Sequence, residues 1–147
     1  MKRVARSAIV EHSAQQMYAL VEDIESYPRF LPWCLETRVL ERSDATTRAS
    51  LTVGLRGLRQ AFTTRNQNRP GQGIDLHLEQ GPFRRFAGAW RFVPLSAHAC
   101  RIEFRLEYQF ASRTLGRLLE PLFDTIADTM VDAFSRRAEE VYGRDQG

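Results

Sequence analysis

The apolar pattern predicts an α+β fold: a curved antiparallel sheet of seven strands wrapped around one long C-terminal helix. Two observations carry most of this. From Ser112 to Tyr142, apolar residues recur in steps of three and four (Leu115, Leu118, Leu119, Leu122, Phe123, Ile126, Met130, Phe134, Ala138, Val141), which keeps them on one side of a helix. From Cys34 to Phe110 the period becomes two, broken only by short turns. A helix of that length spans about 45 Å, so its apolar face needs a large partner surface, and the sheet is the only candidate.

Taken in order, Arg3–Val10 reads as a first strand. Ser13 then caps a helical stretch with Met17, Leu20, Val21 and Ile24 on one face. In Ser26–Trp33 two prolines limit helix to a turn or two, yet Tyr27, Phe30, Leu31 and Trp33 are large and apolar. Residues 35–42 and 46–55 pair across a turn, and 58–67 follows, ended by Asn68-Arg69-Pro70-Gly71. Ile74, Leu76 and Leu78 alternate with polar residues; after Gly81-Pro82 so do Phe86, Gly88, Trp90 and Phe92. In the last strand Cys100, Ile102, Phe104, Leu106, Tyr108 and Phe110 alternate with mostly charged residues, so the sheet has one wet face. The connections imply a meander. In the long helix Ser112 is the N-cap, Gly143 the stop, and Pro121 predicts a kink near Gly116–Pro121, where the helix and a Tyr27–Trp33 lid would meet. Glu120, Asp124, Asp128, Asp132, Arg136 and Glu140 form the opposite stripe, expected to be its solvated back.

A chain of 147 residues, 43% hydrophobic, most simply makes one domain, 1–147. No apolar run reaches the ~20 residues of a membrane span, and the periodic pattern starts at Val4, leaving no room for a leader. Cys34 and Cys100 have no CxxC neighbour and no cluster of histidines, so two thiols in a reducing cytoplasm are expected, without disulfide or metal. Net charge is +3 but uneven: −1 over residues 1–44, +7 over 45–102 and −3 over 103–147.

A curved sheet closed by one helix leaves space for an apolar ligand. The inward-facing candidates are Leu51, Val53, Phe62, Leu76, Leu78, Trp90, Phe92, Phe104 and Leu106, with Leu119, Phe123, Ile126 and Met130 from the helix. Tyr27, Phe30 and Trp33 would form the lid. Any one of these residues taken singly is more simply explained as core. No HExxH, nucleophile elbow or phosphate-cradling glycine loop is present, so no catalytic residue is assigned. His12, His77 and His98 fall on strand ends or polar faces and read as surface residues. Gln60 and Thr64 share the parity of Phe62 and put polar groups toward the cavity.

Three stretches then carry a resemblance: Tyr27-Pro28-x-Phe30-Leu31-Pro32-Trp33-Cys34; Gly81-Pro82-Phe83-x-x-Phe86-x-Gly88-x-Trp90-x-Phe92; and Met130-Val131-x-Ala133-Phe134-x-x-Arg137-Ala138 with Val141-Tyr142-Gly143. They resemble the bacterial RatA ribosome-association toxin group and the mitochondrial coenzyme-Q-binding START-domain proteins, both in the START-like, polyketide cyclase/dehydrase superfamily. The resemblance spans essentially the whole chain and implies a helix-grip fold. One branch implies non-enzymatic binding of ubiquinone or a related polyprenyl lipid in support of respiration, with no required cofactor. The other implies binding to the large ribosomal subunit and a block of subunit association.

The first expectation is therefore a lipid carrier, a bacterial cytoplasmic monomer or weak dimer that touches the inner-membrane surface to exchange ligand. The alternative is ribosome or RNA binding through Arg48, Arg56, Arg59, Arg65, Arg69, Arg84 and Arg85, although that face lacks aromatic stacking platforms. A minor alternative is a polyketide aromatase/cyclase, for which only Gln60, Thr64 and Tyr108 offer polar groups to polarise a ketone.

Overall fold

Strand β1, Lys2–Val10, leads into a helix start that satisfies itself locally. In the computed structural model, which describes residues 1–143 (144–147 of the expected domain lie outside them), Ser13 Oγ accepts from the Gln16 amide at 3.1 Å. Gln16 Oε1 in turn accepts from the Ser13 amide at 3.0 Å, completing a capping box for α1, Ala14–Glu22. A 3-10 turn, Ile24–Arg29, follows. Within it Tyr27 is buried and its hydroxyl donates to the Val21 carbonyl.

Six strands come next: β2 Cys34–Arg42, β3 Thr46–Leu55, β4 Leu58–Arg69, β5 Gly73–Gln80, β6 Phe83–Ser96 and β7 Ala99–Phe110. They form one seven-stranded antiparallel sheet in the order β1-β7-β6-β5-β4-β3-β2, the expected meander with β1 added against β7. Register shifts in β2, between Thr63 and Thr64, and in β6 mark bulges, which bend strands and tighten the sheet's curl. The β3–β4 loop has two residues, Arg56 (φ 53°) and Gly57 (φ 84°), between the pair Leu55 and Leu58. Two positive φ values define the primed hairpin turn, whose twist matches the strands; glycine adopts it freely and arginine does not. Strand β4 runs two residues further than its alternation predicts, through Asn68 and Arg69, because both keep register with β5.

Helix α2, Arg113–Tyr142, begins at Ser112, whose side chain accepts from the Leu115 amide, and ends at Gly143 (φ 84°). It is continuous through Pro121. Leu119, Leu122, Phe123, Ile126, Ala127, Val131, Phe134 and Ala138 are buried against the sheet, whereas Leu118 and Val141 of the predicted stripe face solvent. Ala127 and Val131 take their place, since a 3.6-residue helix rotates away from any strict step of three and four. The acidic stripe is only partly a solvated back. Asp124 accepts from Lys2 Nζ at 2.6 Å and Asp128 from Arg6 Nη2 at 2.7 Å, so two carboxylates latch α2 to β1. Both pairs are exposed, and each contributes less than about 1 kcal/mol. The Tyr27–Trp33 segment meets α2 at Thr129, Phe134 and Arg137, more than two turns past Pro121, so it and the proline do not share a mouth. His12, expected on the surface, is buried beside Tyr142, with ring centroids 5.8 Å apart.

Candidate functional site

Between the concave sheet face and α2 lies a cavity of about 70 Å³. Nine of the predicted ligand-facing residues line it: Tyr27, Leu51, Phe62, Leu76, Trp90, Phe104, Phe123, Ile126 and Met130. Their placement follows from strand parity on β3 to β7 and from the buried stripe of α2. Leu106, named as inward-facing, lines it too.

Six predicted residues do not. Val53 is fully buried, but it pairs with Cys34 where β2 closes over the end of β3, so neighbours fill its surroundings. Phe92 lies two residues beyond Trp90, stacked on it at 6.1 Å and edge-on to Tyr18 of α1. Leu119 is wholly enclosed one turn before Phe123. Leu78 lies past the last β5–β6 pair, His77 with Ala87, opposite the bulge at Thr64, and borders an outer depression instead. Phe30 and Trp33 are not over the cavity. They line a separate surface groove of about 410 Å³ against α2. Phe30 packs on Phe134 and under the Arg137 guanidinium (5.0 Å), and the Trp33 indole donates to Thr129 Oγ1 at 3.1 Å. Among the described residues, only Tyr27 of the supposed lid therefore lines the cavity.

Thr64, placed toward the cavity by its parity, belongs to a polar wall whose other members the apolar pattern missed. Thr47, Thr64, Asn66 and Asn68 are all buried and all line the cavity, joined by Glu22 at the end of α1. Asn68 Nδ2 donates to Thr47 Oγ1 (2.9 Å), which donates to Glu22 Oε1 (3.2 Å), itself bound by Arg42 (2.8 Å). Val21, Ile24, Ile74 and Phe86 complete the lining. The parity rule that found Phe62 and Thr64 finds Asn66 and Asn68 when extended two and four residues, and Thr47 shares the parity of Leu51. Of the other polar candidates, Gln60 donates to the Ala61 carbonyl outside the cavity. The Tyr108 hydroxyl is 3.4 Å from Asp124, and burial pushes its pKa up. Burial also raises the thiols of Cys34 and Cys100 to about 11, so both are protonated near neutrality.

The arginines divide. Arg48 pairs with Glu79 (2.7 and 2.9 Å) and Glu41 (2.7 Å), and Arg69 with Asp75 (3.2 Å). Arg65 is exposed beside Arg48 in the register. Among the described residues Arg56, Arg59, Arg84 and Arg85 are exposed and have no carboxylate at ion-pair distance. No group of three or more metal-ligating side chains occurs among the described residues, and no helix is long and apolar enough to cross a membrane.

Residues 10–135 match the family model described as polyketide cyclase / dehydrase and lipid transport. The chain is 46% identical over 143 residues to the ribosome association toxin RatA of Vibrio cholerae, covering 97% of this chain and 99% of that one. It is 30% identical to the mitochondrial coenzyme Q-binding protein COQ10 homolog B of Xenopus laevis, covering 97% of this chain but 60% of that protein. Among solved structures, the Zhui aromatase/cyclase from a Streptomyces species superposes with a TM-score of 0.82 at 19% identity, over 95% of this chain and 94% of that one, a likeness of fold. The helix-grip arrangement, the matched span and the near-complete correspondence with RatA lead to one assignment: the chain belongs to the polyketide cyclase / dehydrase and lipid transport family, in the group of RatA.

Proposed function

We propose that the protein acts by binding rather than catalysis, and that its principal partner is the ribosome. The observation that carries this is the end-to-end correspondence with RatA at 46% identity, against 30% with the coenzyme Q-binding relative. This reverses the order of preference drawn from the sequence alone. The exposed Arg56, Arg59, Arg84 and Arg85, without an ion-pair partner among the described residues, supply cations for RNA phosphates. Four such contacts give a slope of log K against log salt of about −3. Purified large and small subunits, sedimented with and without the protein, test the proposal. Comigration with the large subunit and a smaller fraction of joined ribosomes are expected, both weakened in the Arg59→Glu/Arg85→Glu double variant. Sedimentation profiles unchanged at low salt would sink it.

A second reading is favoured by the cavity: non-enzymatic binding of a hydrophobic ligand, ubiquinone or a related polyprenyl lipid in its fullest form. At about 70 Å³ the space is well under the ~300–1,000 Å³ of sites that enclose drug-sized ligands, so it takes a small head group and no tail unless α2 and the sheet part. Mass spectrometry of a solvent extract of protein from its own host should show a stoichiometric lipid; its absence would remove the support for this reading.

A further inference from the structure

The cavity wall on β4 holds two amide oxygens to which nothing among the described residues donates. Asn66 and Asn68 are 6% and 8% exposed, and the Oδ1 atom of each has no hydrogen-bond partner. Two residues apart on one strand, they share a face. An amide's orientation is ordinarily ambiguous, but the surroundings of Asn68 fix it. Glu22, held by Arg42, has only acceptors to offer, so the Thr47 hydroxyl spends its single proton there. Thr47 Oγ1 must then accept from Asn68, which points Nδ2 at Thr47 and leaves Oδ1, on a residue that lines the cavity, without a donor among the described residues. A buried carbonyl left without a donor is costly, and the cavity that Asn68 lines exceeds what one water needs.

We propose that this cavity is a site for a hydroxyl-bearing apolar molecule, such as a phenol, a hydroquinone or an alcohol, whose O–H donates to Asn68 Oδ1, and that it disfavours the same skeleton carrying only ketone or ether oxygen. The inference rests on the second reading above, that the cavity takes a hydrophobic ligand. Asn66 Oδ1 serves a second hydroxyl or a water. Trp90, Phe104, Phe123 and Ile126 contact the hydrocarbon, and Met130, unbranched and half-buried, is the wall that yields to a ring. A ketone or ether oxygen placed against Asn68 Oδ1 sets lone pair against lone pair and leaves the acceptor unmatched, whereas a hydroxyl closes the chain from Arg42 through Glu22, Thr47 and Asn68.

The full chain titrated with phenol, anisole and toluene, followed by NMR shifts of cavity methyl groups, tests it. Anisole keeps the ring and the oxygen but lacks the donor. Phenol is expected to bind at least tenfold more tightly than anisole or toluene, and Asn68→Leu to bind toluene at least as well as phenol. Equal affinities for phenol and anisole in the unaltered protein overturn the proposal while leaving a hydrophobic site intact. Millimolar phenol, anisole and toluene all failing to shift the cavity signals overturn both, since the orphan oxygens are then served by water alone. A folded Asn68→Leu that retains the phenol preference overturns the role of Asn68. The phenol–anisole comparison needs no variant to fold.

Discussion

Phe123 is where the grip of the sheet on α2 can be measured. It is 1% exposed and surrounded by Phe62, Phe83, Tyr108 and Phe110, with ring centroids between 5.1 and 6.1 Å away. Phe123→Ala removes a phenyl group from a packed ring cluster and opens its space into the existing cavity. The transfer and cavity terms together predict a loss of about 4 kcal/mol. With a urea m-value of about 2 kcal/mol/M, the midpoint falls by about 2 M. Leu118→Ala, on the solvent side of the same helix, should stay within about 0.5 kcal/mol. The enlarged void is apolar on the α2 side, so benzene at ten times its Kd should restore about 1.4 kcal/mol to the variant. A midpoint shift below about 0.5 M would refute the placement of Phe123 as the centre of the grip. A full loss without benzene rescue would show that the sheet collapses onto the vacated space.

Three further outcomes follow from local geometry. Arg56→Asn should raise stability by about 0.5–1 kcal/mol in chemical denaturation, because asparagine tolerates the left-handed conformation that arginine holds at φ 53°; a decrease would show that Arg56 makes a compensating contact. Ser13→Ala removes the side-chain half of the capping box, leaving the Ser13 amide to donate to Gln16 Oε1, and should cost about 1 kcal/mol, read from the same unfolding curves; an unchanged midpoint would show that the Ser13 hydroxyl does not help to hold α1. The hydrogen bond from Arg42 holds the Glu25 carboxyl below its ordinary value of 4.5, so this pair stabilises the fold above that pH and the contribution disappears as pH falls through the lowered folded value. The stability gap between the native chain and Arg42→Ala, under about 1 kcal/mol for the half-exposed Glu25 partner, should therefore shrink between pH 7 and pH 3; a gap constant with pH would show that Arg42 acts through packing.

How legible the site is in the sequence depends on which physical rule places each residue. Periodicity gives a side chain's face, and α2 was readable from cap to cap because one rule governs all of it. Parity says nothing about position along a curved sheet. Val53, Phe92 and Leu119 have the correct face, yet neighbours fill the space around them, while Phe62 and Trp90 stand where sheet and helix diverge. Leu78 fails because the bulge at Thr63–Thr64 shifts the partners around it, an event with no local signature beyond the nearby Gly81-Pro82. The apolar content of Tyr27–Trp33 suggested a lid, but its side chains serve different surfaces: Tyr27 the cavity, Phe30 and Trp33 the groove on α2. The polar wall was hidden most deeply. Asn68 stands in a turn-forming tetrad, where asparagine ordinarily reads as a solvent-facing residue, and Thr47 stands just after one. Strand parity carried past Thr64 reaches Asn66 and Asn68, and the pairing of β3 with β4, which sets Thr47 opposite Asn66, brings the two sides of the wall together. The direction of the Asn68 amide requires a third element, because Glu22 at the end of α1 takes the Thr47 proton and thereby turns an ordinary turn residue into a buried acceptor without a donor among the described residues.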